Sequence, residues 1–263
     1  MSLLSIALLM LGQSATASEP LKPSAQWVVD YAESMCTLGR EFGPGAVTFG
    51  IRPSGLSTGG GLAIAMIPGA QAIRNHRTPA TFVLDDGSAI EVDANVYWLP
   101  EKKMRVVTAG LDAEAMAKVM SGRPFGFPTN RREHIWFEPE GVASALKVLK
   151  NCEDDLLVSF GVPANELAQI VEGPRGDVSR YFGSAAYPSN ALFVGKGGQT
   201  SALLEINALG NVTDCRITAN SGHEAFRKST CDSLMRAQFE PAKNAAGEPV
   251  RSWYPVRVTW QVD

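Results

Sequence analysis

The sequence predicts an α+β protein: a β-rich N-terminal domain followed by a small domain in which one helix covers a three-stranded antiparallel sheet. Three observations predict it. Apolar residues alternate on both sides of Asp86-Gly87 in "PATFVLDDGSAIEVDANVYW", a hairpin signature. Short apolar runs bounded by Gly and Pro precede that stretch. After residue 180 two alternating runs, a helical stripe and a final alternating run follow one another.

In chain order, the apolar run Leu3 to Leu11 is too short to cross a bilayer and is followed by Ala15-Thr16-Ala17, an A-x-A cleavage site. Residues 1–17 therefore read as a signal peptide, although no Lys or Arg precedes Leu3. The alternative is an uncleaved short anchor. The 45% hydrophobic and 19% charged composition is that of a globular protein, and a net charge of -3 gives no basic surface for nucleic acid.

The N-terminal domain is expected over residues 25–160. Trp27, Tyr31 and Met35 recur at helical spacing in "WVVDYAESMCTLG" and predict a first helix, with flanks that would also permit a strand. "GAVTFGIRPSG" and "GLAIAMIPG" read as strands. In the Asp86-Gly87 hairpin, Phe82 and Leu84 should face inward on one arm, and Ile90 and Val92 on the other. "EGVASALKVLKNCEDDLL" predicts a helix whose stripe of Val142, Ala145, Leu146 and Leu149 runs on to Cys152.

Residues 161–180 carry little hydrophobic pattern and read as a linker with one helical turn. The second domain then spans 181–263. Ala202, Leu204, Ile206 and Ala208 share one strand face, the chain turns at Leu209-Gly210-Asn211, and Cys215, Ile217 and Ala219 share a face of the returning strand. Ser221 and Glu224 form a capping box opening a helix to about Gln238, with Phe226, Thr230, Leu234 and Ala237 inward. The last strand alternates Val256, Val258, Trp260 and Val262.

Four cysteines allow three pairings and contain no C-x-x-C zinc pair. Each expected domain holds two, so cross-links within domains pair Cys36 with Cys152 and Cys215 with Cys231. Export agrees with an oxidised state.

Catalytic motifs are not legible. His76, His134 and His223 begin no metal spacing; in "HEAFR" Arg227 stands where H-E-x-x-H needs its second histidine. "GKGGQT" lacks the phosphate-loop order, "STGGGLA" precedes no helix, and Arg131-Arg132-Glu133 reads as a solvated turn. No G-x-S-x-G occurs. No cofactor, metal or catalytic residue is expected.

The last third of the chain resembles the C-terminal domain of TonB-like energy transducers. The resemblance rests on an ordered set: Tyr187-Pro188 with Ala191 after it, Gly195 and Gly198 before a strand, the turn Gly210-Asn211-Val212, Ser221-Gly222, "QFEPAKNAAGEPV" from Gln238 to Val250, and a final alternating strand. It implies a mechanical action, in which the domain grips the TonB box of an outer-membrane receptor as an added strand. It also implies contact at Tyr187 and Pro188 and along Arg257, Val258, Thr259, Trp260, Gln261 and Val262. Taken singly, Tyr187-Pro188 also reads as a packed turn and Trp260 as a core residue.

Two departures stand out: the sequence has neither a long proline-rich spacer nor a convincing anchor. The expected partner is an outer-membrane TonB-dependent receptor or another envelope protein, in the periplasm. Membrane association follows only from an uncleaved N-terminus, which would give an inner-membrane anchor. The first domain also resembles the exported invasion-associated locus B family in Trp27, its cysteines and Gly141-x-x-x-Ala145-Leu146, without implying a function. An enzyme or small-ligand binder in the first domain, with the second as a localisation module, is the alternative; a deep polar-lined pocket there would favour it.

Overall fold

The computed structural model describes residues 19–53, 60–69, 71–130 and 132–261. The signal-peptide segment 1–17, part of "STGGGLA", Arg131 and Val262 lie outside these residues. Nine antiparallel strands build the first unit: β1 (Val28–Ala32), β2 (Met35–Phe42), β3 (Val47–Pro53), β4 (Gly61–Pro68), β5 (His76–Leu84), β6 (Ala89–Leu99), β7 (Met104–Leu111), β8 (Phe125–Pro128) and β9 (His134–Phe137). Their order in the sheet is β1-β2-β3-β4-β7-β6-β5-β8-β9.

A segment with no strand pattern of its own links β9 back to β2, past β1, which has β2 as its one strand partner. The Leu21 amide donates to the Trp136 carbonyl at 2.7 Å, and the Leu21 carbonyl accepts from Glu138 at 3.1 Å. One step on, Gly43 donates to the Lys22 carbonyl and Ser24 donates to that of Glu41. Residues 21–24 thus stitch β9 to the far end of β2. Inside lie Phe42, Phe49, Phe82, Phe125, Phe127 and Phe137, all with at most 1% exposure and ring centroids 5.0 to 6.4 Å apart in tilted or edge-on pairs, the geometry that aromatic quadrupoles favour.

The expected first helix is a β-hairpin, β1 to β2. Period two wins because Cys36, Leu38 and Phe42 alternate inward and are buried, whereas Tyr31, needed on a helical stripe, is 56% exposed. The strands expected at 45–55 and 61–69 form as β3 and β4. The Asp86-Gly87 hairpin forms as β5 and β6, with Gly87 at φ 81° and the Asp86 carboxylate accepting from the Ser88 amide at 2.8 Å. Phe82 and Leu84 are buried, and Ile90 and Val92 pack half-buried against the same core.

Helix α1 (Ala113–Val119), not foreseen from the sequence, is capped by the Asp112 carboxylate, which accepts from Ala115 at 2.8 Å. Helix α2 (Val142–Ser159) forms as its stripe requires, burying Val142, Ala145, Leu149 and Cys152. The Cys36–Cys152 disulfide ties it to β2.

The second unit opens with α3 (Ala164–Leu167) and α4 (Ser189–Phe193), then β10 (Gly198–Ile206), β11 (Val212–Ser221), α5 (Ala225–Leu234), the short pair β12 (Ala242–Lys243) and β13 (Pro249–Val250), and β14 (Ser252–Trp260). The sheet order is β11-β10-β14, all antiparallel. On one face Leu204, Ile206 and Tyr254 pack with Leu234 of α5. On the other, Leu203 and Trp253 pack with Leu157 and Val162, so the end of α2 covers the sheet's second face. Residues 172 and 175 bridge to Lys243 and Glu240.

Phe226, Thr230, Leu234 and Ala237 face inward as expected, and Cys231 is bonded to Cys215. The capping box does not form. Ser221 ends β11, where its hydroxyl accepts from the Gln199 amide at 3.2 Å, and Gly222 at φ 91° turns the chain. The first amide of α5 donates instead to His223 Nδ1 at 3.1 Å, while the Glu224 carboxylate pairs with Arg227. Helix α5 stops at Leu234 and not near Gln238, because the Gln238 amide donates to the Tyr181 hydroxyl and the Phe239 amide to the Gly210 carbonyl. Ala208 leaves its expected strand face and is exposed in a turn organised by the Asn207 carboxamide.

Candidate partner-binding edge

The tip of the second unit is built around Trp260. Its indole stacks on Phe226 of α5, with centroids 5.1 Å apart and planes 7° apart. Phe182 and Tyr187 meet it edge-on at 5.7 and 5.5 Å. The Tyr187 hydroxyl donates to the Lys196 carbonyl at 2.6 Å, fixing the loop before β10. Pro188 caps α4, where its carbonyl accepts from Ala191 and Leu192. The fold therefore brings Tyr187 and Pro188 beside the end of β14.

Tight backbone approach defines this corner. A Cβ on Gly198 would overlap the Ser221 carbonyl oxygen, and one on Gly222 would overlap that of Gly197. Only glycine fits at both, and Gly222 also occupies the left-handed region.

Among the described residues no strand pairs with the outer side of β14. Pro255 lies within it, opposite Leu203. Proline has no amide hydrogen, so the ladder to β10 stays intact only if residue 255 belongs to the outward set. Arg257 and Thr259, two and four residues on, then direct their amides and carbonyls outward, as does Gln261 beyond the strand end. Beyond the proline at 255, the outer backbone of Arg257 through Gln261 has no partner strand among the described residues.

The side chains of that stretch divide between two faces. Val258 and Trp260 point to the α5 side, where Trp260 is 5% exposed. Thr259 and Gln261 are exposed. The Arg257 side chain turns toward the first unit, with Nη1 at 3.0 Å from Met35 Sδ and Nη2 donating to Gln199 Oε1; burial lowers its pKa. An open groove of about 800 Å³ adjoins the strand tip, walled by His76, Arg77, Asn95 and Tyr97 opposite Trp260 and Gln261.

Sequence reasoning missed the apolar shoulder of this edge. Leu192, Phe193 and Val194 follow Pro188 and are exposed, Phe193 at 92%. The signal was present in "ALFVG", an apolar run closed by glycine directly after the Tyr-Pro step. Among the described residues no group of three His, Cys, Asp or Glu gathers as a metal centre would require. His76 and His134 meet backbone carbonyls of Arg74 and Thr81.

No curated protein matches the chain. One solved structure, the Helicobacter pylori TonB C-terminal domain in solution, is similar over 39% of this chain and 86% of that chain at 17% identity, with a TM-score of 0.26. The family model of the Gram-negative bacterial TonB protein C-terminal matches residues 184–262. That range contains Tyr187-Pro188, β10, β11, α5 and β14, and on the sequence match the last unit of this chain is a TonB-like C-terminal domain.

Proposed function

We propose that this protein is an envelope component of TonB-linked transport that binds an extended segment of a partner, the TonB box of an outer-membrane receptor, by adding it as a strand beside β14. The outward amides and carbonyls of Arg257, Thr259 and Gln261 receive the incoming strand, and Tyr187, Pro188 and the exposed side chains of α4 flank it. The action is binding, with no catalytic step; the family of the last domain is non-enzymatic, and the first unit carries no assigned chemistry. Its working compartment is the periplasm. Among the described residues no helix is long and apolar enough to cross a membrane.

The observation that carries this reading is the unpaired outer side of β14 beyond Pro255, placed beside Tyr187. An exposed strand edge offers hydrogen-bonding groups that an extended peptide satisfies, and pockets along it select alternate side chains. The test is titration of the isotope-labelled full chain with a peptide carrying a receptor TonB box, followed by amide chemical shifts. Shifts concentrated at Arg257, Thr259, Gln261 and Tyr187, and lost in Thr259→Pro, support strand addition. Shifts confined to the first unit, or a Thr259→Pro variant that binds as well as the parent, contradict it.

A further inference from the structure

Between the two units lies a cleft of about 230 Å³ that neither sheet contains alone. One wall comes from β2 and β3 with Met35 and Arg52, another from the end of α2 with Leu157 and Phe160, and the third from β14 with Tyr254 and Arg257. It is mainly apolar, with two guanidiniums as its cationic feature. An apolar cavity of roughly 150 Å³ accepts a benzene ring, so this one has room for a ring-sized body and a small polar head.

The arginines are the unusual part. Arg257 Nε is buried without a hydrogen-bond partner, and the other nitrogens of that guanidinium meet a thioether sulfur and a neutral carboxamide. Arg52 lies in the same cleft, and burial together with the charge of Arg257 lowers its pKa. Neither arginine pairs with a carboxylate among the described residues. Two neighbouring cations in partly dry surroundings repel each other, and one donor is left unsatisfied; an anion between them relieves both. Glu153 also lines the cleft, but the charges acting on it are those of Lys150 and Asp154.

We propose that this cleft binds a small organic carboxylate with an apolar body, the carboxylate held by Arg52 and Arg257 and the body lying against Leu157, Phe160 and Pro255. The site joins both units and is independent of strand addition, which uses the outer backbone of β14. Carboxylate recognition by guanidinium is directional and charge-assisted. A neutral amide of the same shape fills the apolar part but cannot replace the charge.

Benzoate and benzamide are the probes, titrated calorimetrically into the full oxidised chain at about pH 6, where acid carboxylates such as benzoate are ionised and most of the Glu153 population is neutral. Benzoate is expected to bind at least about tenfold more tightly than benzamide, with Arg52→Gln removing that preference. The wild-type comparison needs no variant, so a failure of Arg52→Gln to fold leaves the test intact. Equal binding of the two probes, no benzoate binding up to about 10 mM, or a folded Arg52→Gln chain that retains the preference would overturn the proposal.

Discussion

The two sheets of this molecule treat their ends differently. In the first unit, residues 21–24 bond to Trp136 and Glu138 on one side and to Glu41 and Gly43 on the other. The Trp136 and Glu41 carbonyls and the Glu138 and Gly43 amides are thereby satisfied within the chain. In the second unit β10 is sheltered between neighbours, while β14 has a partner on one side only. The first sheet is thus linked end to end, with β1 keeping β2 as its one strand partner, whereas the open side of β14 adjoins an aromatic corner and an apolar shoulder, the setting in which the proposed strand addition would take place. The proposed interaction function rests on the smaller sheet, although the larger one holds most of the buried aromatic core.

The strongest way to break that contrast is to release α2 from the first sheet. Cys36 and Cys152 are 116 residues apart, and the chain-entropy model assigns their bond about 4–5 kcal/mol. Cys36→Ser with Cys152→Ser should lower the urea midpoint accordingly. Next comes Trp260→Ala, which empties the corner among Phe182, Tyr187 and Phe226. A loss of about 3–4 kcal/mol is expected for an aromatic so buried, together with loss of peptide binding. The shorter loop closed by Cys215 and Cys231, 16 residues apart, is worth about 3 kcal/mol on the same model, measured by unfolding of the double serine variant.

A smaller effect sharpens the comparison at the junction between units. Burial, partly opposed by Lys150, raises the Glu153 pKa to about 7. Between the ordinary carboxylate range and about 7 the folded chain keeps a proton that the unfolded chain has released. Its contribution to stability is thus present at acid pH and falls as pH rises through that window. Glu153→Gln should flatten the dependence and stabilise the protein at alkaline pH by about 1–2 kcal/mol, the raw shift being reduced by solvent screening. Smallest in stability is Phe193→Ser, expected within about 0.5 kcal/mol of the parent because the ring is exposed. Its effect should appear in peptide affinity.

Much of this architecture was legible because it is local. Turn chemistry at Asp86-Gly87, the stripe from Val142 to Cys152, the Cys215–Cys231 bond and the ordered glycines of the last third each act within short stretches. What escaped depends on distant segments. No pattern around Leu21 announces that it will bridge β9 and β2. Trp27, Tyr31 and Met35 matched a helical period by coincidence, while the alternation of Cys36, Leu38 and Phe42 decided the outcome. The capping box had the right residues, but Ser221 was already held by the β10 partner strand. Leu203 and Trp253, on the face opposite Ala202 and Leu204, signalled a second buried face that the reading of one dry side overlooked. Tyr187, Pro188 and Trp260 were singled out through family resemblance as partner contacts and, singly, as a packed turn and a core residue; the packing of Tyr187 on a buried Trp260, the inward turn of Arg257 and its meeting with Arg52 required the fold.

Amide hydrogen exchange at β14 tests the central claim most directly. In the free full-length protein, Arg257 and Thr259 should exchange fast, while Val256 and Val258, bonded to β10, are protected. Saturating TonB-box peptide should slow Arg257 and Thr259 by about a hundredfold or more, equivalent to roughly 3 kcal/mol of added protection. Protection of Arg257 and Thr259 already present in the free protein, or unchanged exchange under saturating peptide, would contradict an edge held open for a partner strand.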